Sequence, residues 1–236
     1  MRTSVCCVVL VAPVMALALP ADGALINEVS PDTLTTNTLE DLEALSGGTY
    51  PGTNYDGIIH ADGISFAECF NGQQVTSNGY FDEVTGLPAG PLQLVPGAAG
   101  ENLTIWGDGN QVIAGNGGLG FPEQNAVSEG AFAFMFDHDQ AEIGFELLGL
   151  NGGAVMIDFF GRDGSLLDSK TVYSLEDGLR AFRVDGDSTG IAGVVVTTDD
   201  LGGIGFDNFF FSAPVPGPGA LALLGLAMLV PTRRRR

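Results

Sequence analysis

The sequence predicts an all-β fold, an antiparallel β-sandwich of jelly-roll-like character. After residue 100 the chain is a succession of short apolar runs rich in Val, Ile and Phe. Turn-forming residues separate these runs, as at Asn151-Gly152-Gly153 and Asp185-Gly186-Asp187. Short runs at this spacing are typical of antiparallel sandwiches and barrels. The predicted strands are Leu103–Trp106, Gln111–Ala114, Ala131–Phe136, Glu142–Leu150, Ala154–Phe160, Ser165–Tyr173, Leu179–Val184, Ile191–Thr198 and Ile204–Phe211.

Two of these elements have especially clear patterns. Ile143, Phe145 and Leu147 alternate with polar or small residues, which predicts a half-buried strand. The segment from Asp158 to Leu167 holds an Asp-Gly turn between two apolar runs, which predicts a hairpin. Four residues are predicted to be buried, with their neighbours alternating outward: Phe145, Phe159, Val195 and Phe206.

The N-terminal half has a weaker pattern. Thr38 to Leu45 fits either a helix, with leucines three residues apart, or a strand that opens the sandwich. We prefer the strand, because little else in the chain is helical. Ser77 to Gly100 is rich in Gly and Pro and is predicted to form loops.

The first 23 residues have the pattern of a secretory signal peptide. Arg2 precedes an apolar run, Val5–Leu19, and the small residues Ala21 and Gly23 offer cleavage sites. The run is short for a membrane-spanning helix, which needs about 20 apolar residues. The sequence therefore predicts a removed signal helix over 1–23 and one folded domain over 24–212.

The domain is strongly acidic. Five of the nine Lys and Arg residues lie in the terminal segments, so four basic residues face 28 acidic ones, a net charge of about −24. Such a surface repels phosphate backbones, so we expect no nucleic acid as a partner. Cys69 is the domain's one cysteine, so an intramolecular disulfide is impossible, and its strand-like surroundings predict a buried apolar role.

The C-terminus resembles a known sorting signal. A Pro/Gly linker over 213–219 leads into an uncharged apolar segment, and the chain ends in Arg233, Arg234, Arg235 and Arg236. Together with Pro216, Gly217 and Pro218, this tail over 220–236 is similar to the PEP-CTERM signal of exported bacterial proteins. Gly217 stands where that family has Glu. The resemblance implies a transient membrane anchor, a C-terminal apolar helix, recognised by an exosortase-type enzyme.

Parts of the domain are also similar to uncharacterised domains that accompany this signal. That second resemblance agrees with a sandwich but implies no activity. The matching stretches are Asp62–Glu68, Phe159–Ser165 and Gly203–Asn208.

Motifs of catalysis are incomplete in this chain. Gly186–Gly190 matches G-x-S-x-G, yet a strand-like run follows it and both histidines lie upstream. Gly115–Gly120 matches G-x-G-x-x-G without a helix or a βαβ unit. Asp137-His138-Asp139 has no second ligand cluster to complete a zinc site. We therefore predict no catalytic residue.

These observations predict an exported surface or extracellular-matrix protein with a non-enzymatic domain. One alternative is a carbohydrate-binding module that stacks sugar rings on Trp106, Tyr50, Tyr55 or Tyr80. A second alternative is a secreted glycoside hydrolase, which would need a pair of carboxylates. No pair stands out among the many acids of the sequence.

One structural cofactor is predicted, a calcium ion shared by the first and last strands. Glu40 and Asp41 lie in the predicted first strand, and Asp207 and Asn208 lie in the last. Calcium binds six to eight oxygen ligands of this kind. The alternative is that Asp207 and Asn208 only bond to a neighbouring loop.

Overall fold

The structure, a computed structural model, describes residues 25–107, 110–149, 152–173, 177–186 and 190–213. The predicted signal helix and the predicted C-terminal helix lie outside these residues. The described part contains one 3₁₀ turn, Pro31–Thr33. Its strands are β1 (Ile26–Val29), β2 (Thr38–Glu40), β3 (Thr53–Tyr55), β4 (Ile59–His60), β5 (Ile64–Ala67), β6 (Cys69–Phe70), β7 (Gln74–Asn78), β8 (Phe81–Thr85), β9 (Leu94–Val95), β10 (Leu103–Trp106), β11 (Val112–Asn116), β12 (Val127–Gly130), β13 (Phe132–Gln140), β14 (Glu142–Leu148), β15 (Ala154–Phe160), β16 (Leu166–Tyr173), β17 (Gly178–Val184), β18 (Ile191–Thr198) and β19 (Gly205–Phe211).

Two large sheets contain most of the strands. Sheet A has the order β1-β17-β14-β19-β11-β10-β3, with β2 also paired to β19 and β12 to β11. Sheet B has the order β16-β15-β18-β13-β5-β4. Two small sheets, β6–β9 and β7–β8, complete the described fold, and the strand pairs in all four sheets are antiparallel.

Sheets A and B enclose a core dominated by phenylalanine. Phe132 of sheet B stacks on Phe206 of sheet A with ring centroids 4.3 Å apart. Phe134 of sheet B meets Phe145 of sheet A edge to face at 5.5 Å. All four side chains are fully buried. Aromatic contacts between facing sheets define a sandwich, and they confirm the predicted burial of Phe145 and Phe206.

Part of the outer face of sheet B is also buried, which the sequence pattern did not predict. Val194 and Val196 face the main core, whereas Val195 packs in a second cluster with Phe160 and Phe70. The predicted burial of Val195 and Phe159 is confirmed, but the expectation that their neighbours point outward is wrong, since Phe160 and both neighbours of Val195 are also buried. The reason is that the small sheets lie over this face, so strand β18 is buried on both of its faces.

The predicted loop region from Ser77 to Gly100 is wrong in part. It contains β8 and β9, and β7 and β8 form a polar hairpin closed by Gly79, whose φ is +80°. Its residues are mostly exposed, so the hairpin carries no long apolar run that would mark it. At Thr38–Leu45 the strand preference is confirmed for three residues, after which the chain turns at Leu42, with φ +61°.

The other strand predictions are confirmed. Each of the nine predicted runs contains a strand, with bounds that shift by a few residues. The predicted hairpin turn is present, because the Gly161 N–H donates to the carbonyl of Ser165 at 2.9 Å. Cys69 is buried, and this burial raises the pKa of its thiol to about 11. Within the described ranges, no helix is long and apolar enough to cross a membrane.

Candidate functional site

An aromatic pair lies at one edge of sheet A. Trp106 ends β10, and Tyr50 lies in the turn before β3, the strand that pairs with β10. Their rings are perpendicular, at 88°, with centroids 5.8 Å apart. Tyr50 is 45% exposed and Trp106 is half-buried. The pair therefore presents two rigid apolar surfaces to solvent, fixed by the pairing of two strands.

Two glycines make this arrangement possible. Gly52 has φ +94°, and a Cβ there would lie 2.3 Å from the carbonyl oxygen of Ile105. A Cβ on Gly205 of β19 would lie 2.4 Å from Val112 Cγ1 and 3.2 Å from Trp106 Cη2. Glycine at 205 therefore lets the indole lie directly against the sheet, and glycine at 52 lets the Tyr50 turn approach β10.

The aromatic pair borders a depression of about 360 Å³ that Ser128 and the loop residues Gly202 and Gly203 also line. We call it the aromatic depression. Ser128 has φ +81°, a conformation that is uncommon for a residue with a side chain. Its carbonyl accepts a hydrogen bond from Ile204 N–H at 2.9 Å, which holds this part of β12 against the loop after β18. Backbone strain of this kind is concentrated at functional sites.

A second depression, the acidic depression, lies next to the first. Tyr80, Asn125, Glu129 and Leu201 line its volume of about 250 Å³. Glu129 is only 6% exposed. Its Oε2 is sealed from solvent, and no described residue donates a hydrogen bond to it. Burial, and then the charge of nearby Asp200, raise the pKa of Glu129 to about 7.

A third and larger concavity, the hairpin groove, separates the β7–β8 hairpin from the outer face of sheet B. Its volume is about 510 Å³. Phe81 contributes an apolar wall, and Asp158, Ser169 and Thr197 contribute polar groups. Ser169 Oγ donates to Asp158 Oδ1 at 2.5 Å. Hydroxyls and carboxylates along an open groove can bond to a ligand that is rich in hydroxyl groups.

The three concavities follow one another around the edge of the sandwich. The hairpin tip supplies Asn78 and Phe81 to the groove and Tyr80 to the acidic depression. The loop after β18 supplies Asp199 to the groove, Leu201 to the acidic depression and Gly202 to the aromatic depression. The charge of Glu129 also contributes to the raised pKa of Tyr50, after burial, which places the two side chains near each other.

Two further carboxylates are buried beside the hairpin. Glu68 is 9% exposed, and burial followed by the charges of Asp82 and Glu101 raises its pKa to about 7. Asp82 is 4% exposed, and burial raises its pKa to about 6 although Ala131 N–H donates to it at 3.2 Å. These acids are held close to like charges, so each favours its neutral form more than an exposed carboxylate does.

The four residues of the predicted calcium site take part in separate local contacts. Strands β2 and β19 do pair, with Glu40 opposite Phe209. Glu40 Oε1 accepts from Leu42 N–H at 3.0 Å, and Asp41 Oδ1 accepts from Glu43 N–H at 3.2 Å. Both carboxylates therefore stabilise their own turn.

Asn208 bonds instead to the neighbouring strand β14, and Asp207 accepts hydrogen bonds from Asn208 and from Asn110 in the loop before β11. Asn208 Nδ2 donates to Glu146 at 2.7 Å and to Asp207 at 3.0 Å. Burial raises the pKa of Asp207 to about 6, with smaller contributions from the charges of Glu146 and Glu43 and against hydrogen bonds that lower it. No group of three or more His, Cys, Asp or Glu in the described ranges is arranged to hold a metal ion. Calcium stays a prediction.

Some of the remaining candidates from the sequence lie within the described residues. Of the four aromatic residues proposed for sugar stacking, Tyr50, Trp106 and Tyr80 line the depressions, whereas the Tyr55 hydroxyl donates to Ser46 at 2.7 Å. The Gly115–Gly120 segment continues β11 into a turn without a helix. The sorting residues Pro216 to Arg236 lie outside the described ranges.

Comparison with known proteins identifies no family for this chain. No family model matches the chain, and no curated protein matches its sequence. Among solved structures, it is similar to the N-terminal CBM22-1–GH10 modules of endo-1,4-beta-D-xylanase 10B from Clostridium thermocellum, complexed with xylohexaose. That similarity has 9% identity and a TM-score of 0.28, and it covers 68% of this chain and 28% of that chain. A likeness this remote carries no argument about fold or function.

Proposed function

We propose that this chain is an exported, envelope-sorted protein whose non-enzymatic sandwich binds an extracellular polysaccharide. The observation that carries the proposal is the Tyr50–Trp106 pair beside two further concavities on one edge of the domain. We infer a jelly-roll-like sandwich as the carrier, since its sheets are antiparallel and lectin domains use that architecture.

The chemistry of the surface suits a sugar polymer. A pyranose ring has an apolar C–H face that packs on an aromatic ring, and hydroxyls around its rim that bond to polar groups. The two aromatic rings supply the first kind of contact, and Asp158, Ser169 and Thr197 supply the second. The concavities are open and adjacent rather than enclosed, which favours an extended chain over a small buried ligand.

A non-enzymatic role is the preferred interpretation of the carboxylates at this surface. Asp200 is buried and accepts hydrogen bonds from Gly152, Gly153 and Gly202 N–H groups, at 2.8 to 2.9 Å. A carboxylate occupied in this way is poorly placed to reach a glycosidic bond. Turnover of a bound polysaccharide, measured as released reducing ends, would favour the hydrolase alternative instead.

Polysaccharide binding can be tested with the chain's own fluorophore. Trp106 is the single tryptophan of the sequence, so intrinsic fluorescence reports directly on the aromatic depression. We expect at least one polysaccharide on a glycan array to bind and to change this fluorescence on titration. Trp106→Ala should abolish binding, measured by calorimetry. The matched control is Tyr173→Ala, an aromatic residue that is 72% exposed and lines none of the three concavities.

Export and sorting rest on the terminal segments alone. The mature protein from its native host should lack residues 1 to about 23, because the signal peptide is removed. It should also lack the tail Arg233–Arg236, because an exosortase-type enzyme cleaves the sorting signal. Intact-mass measurement of the surface protein tests both ends together. Recovery of the complete tetra-arginine tail from the mature protein would count against sorting cleavage, although it would leave polysaccharide binding untouched.

A further inference from the structure

Glu129 lines the acidic depression at the proposed glycan surface, and one oxygen of its carboxylate is buried without a partner among the described residues. Its side chain is more than nine-tenths buried and lines the acidic depression. No described residue donates a hydrogen bond to its Oε2. Buried polar atoms nearly always have a partner, so each exception calls for an explanation. A ligand that brings its own hydrogen-bond donor supplies one.

The negative charge around Glu129 indicates which kind of hydrogen-bond donor a ligand would bring to this carboxylate. Asp200 adds a second negative charge nearby, and among the described residues no Lys or Arg lines the acidic or the aromatic depression. In the adjoining groove, Lys170 is paired with Asp168 at 2.8 Å. The domain as a whole is acidic. A ligand with carboxylate or sulfate groups is therefore repelled, and one with a positive charge is attracted.

An ammonium group matches these features best. It has three donors and no acceptor, so an ammonium group that reaches the Glu129 carboxylate from the depression donates a hydrogen bond and compensates the negative charge together. The neighbouring ring of Tyr80 is 49% exposed, and a cation over such a ring gains a further attraction. A neutral sugar hydroxyl supplies the donor but leaves the charge uncompensated.

We propose that the depression around Glu129 is a subsite for the free amino group of an amino sugar, within a polysaccharide whose rings pack on Tyr50 and Trp106. This inference rests on the proposed glycan binding and adds its substrate class. The aromatic depression supplies affinity for sugar rings in general. The acidic depression selects the residue that carries the charge.

The test compares two ligands that differ only at the nitrogen. A β-1,4-linked glucosamine oligosaccharide and its fully N-acetylated counterpart are titrated into the mature protein at pH 6.8, with calorimetry and Trp106 fluorescence as readouts. We expect the free amine to bind at least tenfold more tightly. Glu129→Gln should remove this preference, because glutamine keeps the shape and loses the charge.

Two further variants guard against a folding artefact. Glu129→Asp keeps the charge on a shorter side chain and should retain a reduced preference. Asp32→Asn removes an exposed carboxylate next to β17, at the opposite end of sheet A from Trp106, and should leave the preference unchanged. Thermal unfolding of each variant checks that the domain is intact.

The outcomes separate the two proposals. Equal affinity for both oligosaccharides, or a preference that survives in Glu129→Gln, overturns the amino-sugar subsite. If both ligands still depend on Trp106, polysaccharide binding stands without it. If neither these oligosaccharides nor any neutral glycan of the array binds, the proposed function fails, and the subsite fails with it.

Discussion

Replacing Glu68 by glutamine should make the domain more stable at alkaline pH. Glu68 lies between β5 and β6 and is 9% exposed. Its pKa of about 7 exceeds the ordinary value of 4.5 because of burial first, and then the charges of Asp82 and Glu101. The folded protein therefore holds a proton that the unfolded chain has already released between these two values.

The direction of the pH effect follows from this difference. The contribution of Glu68 to stability is fully present below the unfolded pKa of about 4.5 and is lost as the pH rises through 7. Each pKa unit is worth about 1.36 kcal/mol, so the full loss is bounded by ~3.4 kcal/mol. Two effects make the stabilisation by Glu68→Gln smaller than this bound. Glu68 keeps some contact with solvent, and the buried glutamine amide needs hydrogen-bond partners of its own. We expect Glu68→Gln to raise the free energy of unfolding at pH 8 by about 1–2 kcal/mol.

The assay is urea unfolding at pH 5 and pH 8, followed by circular dichroism. The wild-type free energy of unfolding should fall between these pH values, and the variant's should fall by a smaller amount. Glu83→Gln is the matched control, since Glu83 is an exposed carboxylate on the neighbouring hairpin. If the free energy of unfolding falls by the same amount between pH 5 and pH 8 in Glu68→Gln as in the wild type, Glu68 is not the group that takes up the proton.

Three other predictions concern the core, the aromatic site and the metal. Phe145→Ala removes a fully buried ring and should destabilise the domain by roughly 3–5 kcal/mol in the same unfolding assay, whereas an unchanged value would contradict its place in the core. Gly205→Ala should displace Val112, which a Cβ at 205 meets at 2.4 Å, and with it the Trp106 ring, which the same Cβ meets at 3.2 Å, so the Trp106 fluorescence should shift and glycan binding should weaken. Calcium at about 100 times its dissociation constant should stabilise a true site by about 2.7 kcal/mol over excess EDTA, an effect that Asp207→Ala removes, and equal melting temperatures would eliminate the site.

Strand positions were predictable because this sandwich marks its core strands with apolar runs. Phe132 to Phe136 and Ile191 to Thr198 lie in the middle of sheet B and are almost entirely buried, so few polar residues interrupt them. The β7–β8 hairpin has the opposite character. Its residues are mostly polar and exposed, and its place over sheet B depends on contacts far away in the sequence, as when Asp82 accepts a hydrogen bond from Ala131.

The candidate site was predictable only as a set of residue types. Aromatic side chains suited to sugar were visible in the sequence, yet the nearness of Tyr50 to Trp106 arises from the pairing of β3 with β10. No pattern in the sequence distinguished Glu129 from the other acidic residues, because these are abundant and the burial of Glu129 depends on tertiary contacts. The only local hint was glycine density around Gly115–Gly120 and Gly202-Gly203, where close backbone approach brings β11, β12 and the loop after β18 together.

The same buried contacts that stabilise the sandwich also hold the proposed binding edge in shape. Asp200 bonds the loop after β18 to the loop before β15 through backbone N–H groups, and Ser128 bonds that loop to β12 through Ile204. Both anchors are buried, so the rim that carries Leu201 and Gly202 is fixed before any ligand arrives. Little binding free energy is then spent on ordering the protein. A surface whose individual contacts are weak can therefore still bind a ligand. Such a fixed rim suits a polymer that meets several shallow concavities in turn.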